Sequence, residues 1–127
     1  SLGHPKQAPH LKKRTISADH HRPSEAPYLN QWQEYMETFG NEHYPKELQQ
    51  KKIRGHLRLM VAISKDGSLH QVEIRSSSGR PLLDQAAVRL VQKAAPFAPL
   101  PPEVAKEIDV LEIVRTWEFQ GKQLHTT

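Results

Sequence analysis

The sequence predicts an α+β fold, a two-layer sandwich in which a helix covers a three-stranded antiparallel sheet. Three observations carry this prediction: two alternating apolar stretches around Asp66-Gly67, an amphipathic helical stripe after them, and a third alternating stretch near the C-terminus. One helix stripe is enough to cover one face of a small sheet. A helix between the second and third strands makes those two strands parallel, so the third strand pairs beyond the first, in the order 2-1-3. We therefore expect the third strand to form an edge of the sheet.

Composition limits the chain to one folded unit with tails. A length of 127 residues suits one modest core, and the absence of cysteine excludes disulfides and thiolate chemistry. No apolar run approaches the roughly 20 residues that span a bilayer. The net charge of +4 suggests an anionic partner, but residues 1–27 hold five Lys or Arg against two acids and the rest hold thirteen against twelve. The predicted domain itself is almost neutral.

Residues 1–27 are predicted to be the flexible end of a linker, rich in proline, histidine and basic residues. This stretch holds four of the ten prolines and four of the eight histidines, with no sustained apolar periodicity. His20-His21 are adjacent, so their side chains diverge, and no spaced carboxylate or cysteine completes a metal shell. We therefore predict no metal site and no cofactor.

The folded domain is predicted to begin with an extra amphipathic helix at residues 28–40. Apolar residues recur there at three- and four-residue spacing, and Gly40-Asn41 ends the pattern. The stripe consists of Tyr28, Leu29, Trp32, Tyr35, Met36 and Phe39. Such a stripe usually packs on its own core, which is the favoured interpretation, while swapping onto a second copy or receiving a partner helix is the alternative.

The core unit, residues 44–119, opens with Tyr44-Pro45 and a short helical turn that ends before Gly55. The first strand, residues 56–63, alternates in hydrophobicity, and Asp66-Gly67 gives a hairpin turn.

The second strand, residues 69–75, is predicted to turn Val72 and Ile74 toward the core. Leu69 is out of phase with that alternation. It indicates either a bulge or an exposed contact, and the pattern leaves both open.

The covering helix is predicted over residues 82–95, with Pro81 in its first turn. The turn before it, Ser76-Ser77-Ser78-Gly79, lacks the Gly-Lys-Ser/Thr ending of a phosphate-binding loop and is interpreted as structural. The prolines from Pro96 to Pro102 prevent further regular helix and indicate an extended crossing, with a polyproline ligand as the alternative.

The last strand, Val110 to Phe119, alternates over its whole length. Arg115 falls on its apolar face, and the sequence alone does not resolve this inconsistency. Beyond it, residues 121–127 are expected to be a tail.

The residues of enzyme sites are missing from this pattern. No Ser/His/Asp set, glycine-rich nucleotide loop, HExxH motif or paired-carboxylate spacing occurs, and the histidines of the domain fall in separate elements. An unpaired strand edge, by contrast, can pair with a strand of another chain. The sequence thus predicts a protein that is not an enzyme and acts through strand pairing.

Seven short motifs follow one another in the order found in TonB C-terminal domains, which residues 41–120 resemble. They are Tyr44-Pro45, Gly55, Asp66-Gly67, Ser77-Ser78-Gly79, Leu83-Asp84 with Ala86-Ala87, Pro96-Phe97-Ala98-Pro99 and Thr116-Trp117-Glu118-Phe119. The helix at residues 28–39 is similar to an extension in one branch of TonB-like energy transducers, and residues 1–27 resemble the end of their periplasmic linker.

The resemblance implies a periplasmic domain of a protein anchored in the inner membrane by an N-terminal helix that residues 1–127 do not include. It also implies coupling to the ExbB–ExbD proton-motive complex and binding to the TonB box of outer-membrane receptors by strand addition, for uptake of ferric siderophores, haem or cobalamin. The partner-binding residues that it implies are Leu111, Glu112, Ile113, Val114, Arg115, Thr116, Trp117, Glu118 and Phe119 of the last strand, with Asn41, Glu42, His43 and Tyr44 before it.

Three alternatives remain open at this point. TonB-like paralogues serve motility or secretion systems. A basic nucleic-acid-binding module would need surface aromatics interleaved with Lys or Arg on an open sheet face, and no nucleic-acid partner is predicted. The free edge of the last strand could also pair with a second copy and form a homodimer.

Overall fold

The computed structural model describes residues 10–127 of the chain. Within them lie five strands and four helices, in the following order along the chain: β1 (Lys13–Ser17), α1 (Ala26–Glu42), α2 (Lys46–Gln50), β2 (Gly55–Ser64), β3 (Leu69–Ser76), α3 (Pro81–Ala94), α4 (Pro102–Ala105), β4 (Val110–Phe119) and β5 (Leu124–Thr126).

The strands form one mixed sheet in the order β1-β4-β2-β3, with β5 also paired to β4. The central pair is β2 and β4, which run antiparallel from Gly55 opposite Phe119 to Ser64 opposite Val110. Strand β1 lies parallel to the first half of β4, and β5 lies antiparallel to its last residues. Strand β4 is therefore paired along both of its sides.

The structure confirms the α+β class and corrects the predicted sheet. The expected 2-1-3 order is present as β3-β2-β4, but the sheet has five strands, includes a parallel pair, and does not leave β4 at its edge. Both segments that the sequence indicated as tails contain a strand, at residues 13–17 and 124–126. The physical reason lies in β4 itself, because its second row of backbone N–H and C=O groups is satisfied by these short flanking segments.

Helices α1 and α3 pack on the same face of the sheet and enclose the core. Each helix has a proline in its first turn, where the missing N–H would have no intrahelical acceptor. The stripe of α1 packs on its own domain, as the favoured interpretation held, and Trp32 lies between the rings of Phe97 and Trp117, with centroids 5.9 and 6.4 Å away. Tyr35 is the exception, since 43% of its surface stays exposed.

The β2–β3 hairpin shows how closely the loops approach one another. Gly67 has φ +92°, and a Cβ there would lie 2.1 Å from the carbonyl oxygen of Phe97, whose N–H donates to the Gly67 carbonyl at 2.8 Å. Any other residue at position 67 would clash with backbone. A register shift between Ala62 and Ile63, opposite Leu69, identifies the bulge that was one of the two interpretations of Leu69.

Ile74 lies opposite Leu59 on the core face of the sheet, as predicted, and 37% of its surface stays exposed because β3 is the strand at the outer end of the sheet. One smaller prediction was wrong. The proline cluster does not run extended throughout, since Pro102 begins the four-residue helix α4, where proline is tolerated in the first turn.

Candidate functional site

The candidate site is the side of β4 that faces away from β2. The side chains of Leu111, Ile113, Trp117 and Phe119 point into the core and are buried, while the opposite face of the strand carries Glu112, Thr116 and Glu118. The inward side chains are committed to packing. What β4 has available for pairing on this side is therefore its backbone N–H and C=O groups.

Strand β1 occupies the first half of that edge, from Val110 to Val114. The N–H groups of Asp109 and Val110 both donate to the Lys12 carbonyl, at 2.8 and 3.1 Å, and the Lys12 N–H donates to the Asp109 carboxylate at 2.9 Å. The hydrogen bond from the Lys12 backbone, followed by the contact with Lys65, holds the pKa of Asp109 below its usual range. These bonds fix the register in which β1 begins.

Only one side chain of β1 enters the core. Ile16 is completely buried, whereas Lys13 and Thr15 are exposed. The Thr15 hydroxyl donates to the Glu112 carboxylate at 2.6 Å on the outer face of the sheet. The apolar contribution to β1 docking therefore comes from a single residue.

A buried ion pair joins β1 to the start of α1. Arg14 contacts the carboxylate of Glu25, which is 2% exposed and also accepts from the Arg22 N–H at 2.7 Å. Burial alone would raise the pKa of Glu25, but the hydrogen bonds from Arg14 and Arg22 outweigh it, so the pKa lies below its ordinary value. The same hydrogen bond raises the pKa of Arg14. Ionised Glu25 thus holds β1 in place.

Strand β5 occupies the other half of the edge and is held by α1. Leu124 and Thr126 are buried, and the carboxylate of Glu37 accepts from the Thr126 N–H at 2.7 Å and from its hydroxyl at 3.1 Å. Backbone bonds of 2.8 Å in both directions between Thr116 and Thr127 extend the pairing.

The other predicted partner-binding segment, residues 41–44, lies beside β5. Asn41 donates to the Leu124 carbonyl at 3.3 Å and accepts from its N–H at 2.7 Å, and the Tyr44 hydroxyl accepts from the Gly121 N–H at 3.0 Å. Asn41 and Tyr44 thus bind the chain's own C-terminal segment.

Glu42 and His43 remain exposed, and the His43 ring stacks on Phe39 with centroids 4.1 Å apart. Tyr44 also contacts Phe119 at 5.8 Å between centroids. The two predicted groups therefore meet at the C-terminal end of β4.

Arg115 points into the domain, as the alternation indicated, and the structure supplies its partners. Its guanidinium contacts the side-chain oxygen of Gln33 and lies 3.5 Å from the Thr126 carbonyl. Burial lowers the pKa of Arg115. The residue links α1, β4 and β5, and it marks the point on β4 between the two covering strands.

Sequence reasoning missed the two strands that cover β4. Residues 13–17 contain one buried apolar residue, too few to show a period. The β5 signal was stronger, since Gly121, with φ +97°, follows a long strand and precedes alternating Leu124, His125 and Thr126. A glycine turn after a strand followed by such alternation is typical of a hairpin.

The open face of the sheet offers little to a nucleic acid. A small cluster of Met60, Ala62, Val110 and Val114 lies there, with Glu73 paired to Met60 and Glu112 paired to Ala62. These are aliphatic and acidic neighbours, whereas single-stranded bases stack on aromatic rings beside cations.

Residues 10–127 contain no group of three or more His, Cys, Asp or Glu side chains able to hold a metal ion. No helix in this part of the chain has the length and apolar character needed to cross a membrane.

Comparison with known proteins gives a family match over residues 40–120, to the C-terminal domain of Gram-negative bacterial TonB protein. No curated protein matches. Among solved structures, the chain is similar to the Helicobacter pylori TonB C-terminal domain (residues 194–285), with 22% identity, a TM-score of 0.53, and coverage of 76% of this chain and 96% of that one. It is also similar to the HasB C-terminal domain, with 25% identity, a TM-score of 0.52, and coverage of 79% and 76%.

The matched residues include β2, α3 and β4 and leave out both β1 and β5. The two strands that cover β4 thus lie outside the residues of the family match. The order of elements and the seven sequence motifs agree with the family match. The chain belongs to the TonB C-terminal family of periplasmic, non-enzymatic energy-transducer domains.

Proposed function

We propose that this domain binds the TonB box, a segment of outer-membrane TonB-dependent receptors, as an added strand on β4. Through an N-terminal anchor it would receive force from the inner-membrane ExbB–ExbD complex and transmit it to the receptor, for uptake of ferric siderophores, haem or cobalamin. One observation carries the proposal: the edge of β4 accepts added strands in both directions, parallel with β1 and antiparallel with β5.

Backbone pairing explains how one domain could serve several receptors. Each main-chain hydrogen bond contributes about 0.5 to 1.5 kcal/mol net, so five or six of them hold an extended peptide with little dependence on its sequence. The inward side chains of β4 are already packed, which leaves the backbone as the group that a partner can use.

Glu42 and His43 are proposed as a second receptor contact. Both are exposed, and they form the last residue and the C-cap of α1, which ends beside the C-terminal end of β4. A receptor strand leaving the edge at that end would pass close to them. Asn41 and Tyr44 are less suited to direct contact, because their polar groups already bind Leu124 and Gly121.

The test is a titration with peptides from the N-terminal ends of receptor plugs, followed by backbone amide shifts in NMR spectra. Shifts concentrated in Leu111 to Val114 are expected, because β5 stays paired with the rest of the edge. The titration is run on the unmodified chain and on Ile16→Asp, in which an acid at a buried position disfavours the docking of β1. The control is the same peptide N-methylated at alternate residues, which removes the N–H donors that a strand needs. An absence of shifts with both chains at millimolar peptide would contradict the proposal.

A further inference from the structure

We propose that β1 is a removable cover of the partner-binding edge, which an incoming receptor strand must displace from Val110–Val114. The inference rests on the proposed function and adds regulation to it. The segment before the family's matched core thus controls access to the strand that the matched core provides.

The contacts of β1 are few and can be separated from the rest of the fold. One buried side chain, Ile16, enters the core. Besides the backbone pairing with β4, the remaining anchors are the Arg14–Glu25 ion pair, a surface hydrogen bond from Thr15, and the bonds between Lys12 and Asp109. Residues 18–22, which follow β1, are exposed. Removing β1 therefore disturbs none of the contacts among β2, β3, α3 and β4.

The geometry of β1 is that of a bound peptide. It pairs with β4 in parallel register over five residues, with Lys13 opposite Val110 and Ser17 opposite Val114. A receptor segment that adds to this half of the edge would need the same backbone groups of β4. The two strands cannot occupy them together.

A tethered competitor lowers the apparent affinity for the free peptide. The measured dissociation constant is the intrinsic one divided by the fraction of molecules with the edge open. A segment joined by a short connection also competes at an effective concentration in the millimolar range. If β1 is closed in most molecules, opening it should tighten peptide binding by about tenfold or more.

Two variants of the full chain test the inference in opposite directions. Ile16→Asp disfavours the closed state, and Leu11→Asp is its matched control, since Leu11 is exposed and precedes β1. Thr15→Cys with Glu112→Cys locks the closed state by a disulfide, because the two residues are register partners and neighbouring strands lie about 4.8 Å apart, within the Cα separation that a disulfide spans. The chain has no other cysteine.

Binding of receptor-plug peptides is measured by isothermal titration, with hydrogen exchange of Val110–Val114 as an independent readout of the cover. We expect Ile16→Asp to bind the peptides about tenfold more tightly and to lose exchange protection, and Leu11→Asp to show no change. The oxidised double-cysteine chain should not bind until a reductant is added. Equal binding by the unmodified and Ile16→Asp chains, with binding still lost on oxidation, would overturn the cover and leave strand addition on β4 standing. Equal binding by the oxidised chain as well would place the peptide away from β4 and overturn both. Binding by none of them, before or after reduction, would overturn both.

Discussion

The strands β1 and β5 cover adjacent halves of the same edge, yet they are held differently. β5 has two buried side chains, Leu124 and Thr126, in three residues, and α1 binds its backbone through Asn41 and Glu37. β1 has one buried side chain in five residues, and the buried Arg14–Glu25 pair joins it to the start of α1. Strand length alone would have suggested the opposite ranking.

The difference shows that side-chain anchoring, rather than the number of backbone pairs, decides which covering strand belongs to the core. The packing at Gly40 shows how tightly β5 is anchored. A Cβ at that position would lie 2.4 Å from the Leu124 side chain, so α1 and β5 have no space between them. We expect β5 to unfold with the domain and β1 to open by itself.

Leu124→Ala should have the largest effect. It leaves a cavity between α1, α3 and β5, because Leu124 is 3% exposed and packs beside Gly40. We expect a loss of about 2 to 4 kcal/mol in the free energy of unfolding, measured by urea denaturation. A loss below about 0.5 kcal/mol would mean that β5 is also detachable.

Ile16→Ala removes a comparably buried aliphatic side chain and should cost the domain less. Once β1 opens locally, the folded remainder no longer depends on Ile16, so the loss is limited to the free energy of β1 docking. We expect about 1 kcal/mol in urea denaturation, with faster amide exchange confined to residues 110–114. A loss as large as that of Leu124→Ala would show that β1 unfolds only with the whole domain.

Acid should weaken the docking of β1. The pKa of Glu25 is below its ordinary value of 4.5 in the folded chain, so its stabilisation is present above pH 4.5 and is lost as the pH falls through the folded value. Asp109, whose pKa is also lowered, acts in the same direction. The exchange protection of residues 110–114 measured from pH 6 to pH 3 should fall at the acid end.

Glu25→Gln is the control for that titration. It keeps a hydrogen-bond acceptor for Arg14 but removes the ionisable group, so most of the acid dependence should disappear. The same fall in protection with Glu25→Gln would assign the acid effect to Asp109 instead.

Arg22→Ala should have the smallest effect. Its guanidinium bonds Glu107 at 3.0 Å, but both side chains are 54% exposed, and such pairs contribute about 0 to 1 kcal/mol. We expect a change within about 0.5 kcal/mol in urea denaturation and unchanged protection of β4. A clear loss of protection would make this surface pair part of the anchor of β1.

The sequence predicted the elements in which a hydrophobic pattern repeats over many residues. It missed the two short strands that depend on pairing with β4. β2, α3 and β4 each repeat their pattern over eight residues or more, so their type and order could be read directly. β1 and β5 are strands mainly because β4 offers them unpaired backbone groups, which is a property of the assembled sheet. The partners of Arg115 could not be predicted for the same reason. Gln33 is distant in the sequence, and Thr126 belongs to β5, which the sequence did not predict.

The sequence predicted that the proposed partner-binding residues of β4 form a strand. It did not predict that the edge of this strand is covered. The alternation in β4 correctly predicted that Trp117 and Phe119 point inward. The edge of β4 was predicted as the binding site from the family resemblance. That the edge is covered depends on a segment about 100 residues away in the chain, at Lys13–Ser17. Pairing over such a separation leaves no local signal.

Residues 13–24 span a shorter distance in the closed form than when they are extended. The side chains of Arg14 and Glu25 are in contact and close the stretch from Lys13 to Ser24 into a loop. Drawn out, these twelve residues would reach up to about 40 Å. Tension on the chain before Lys13 would therefore favour the open state, in which β4 is uncovered, and release of the tension would favour the closed one.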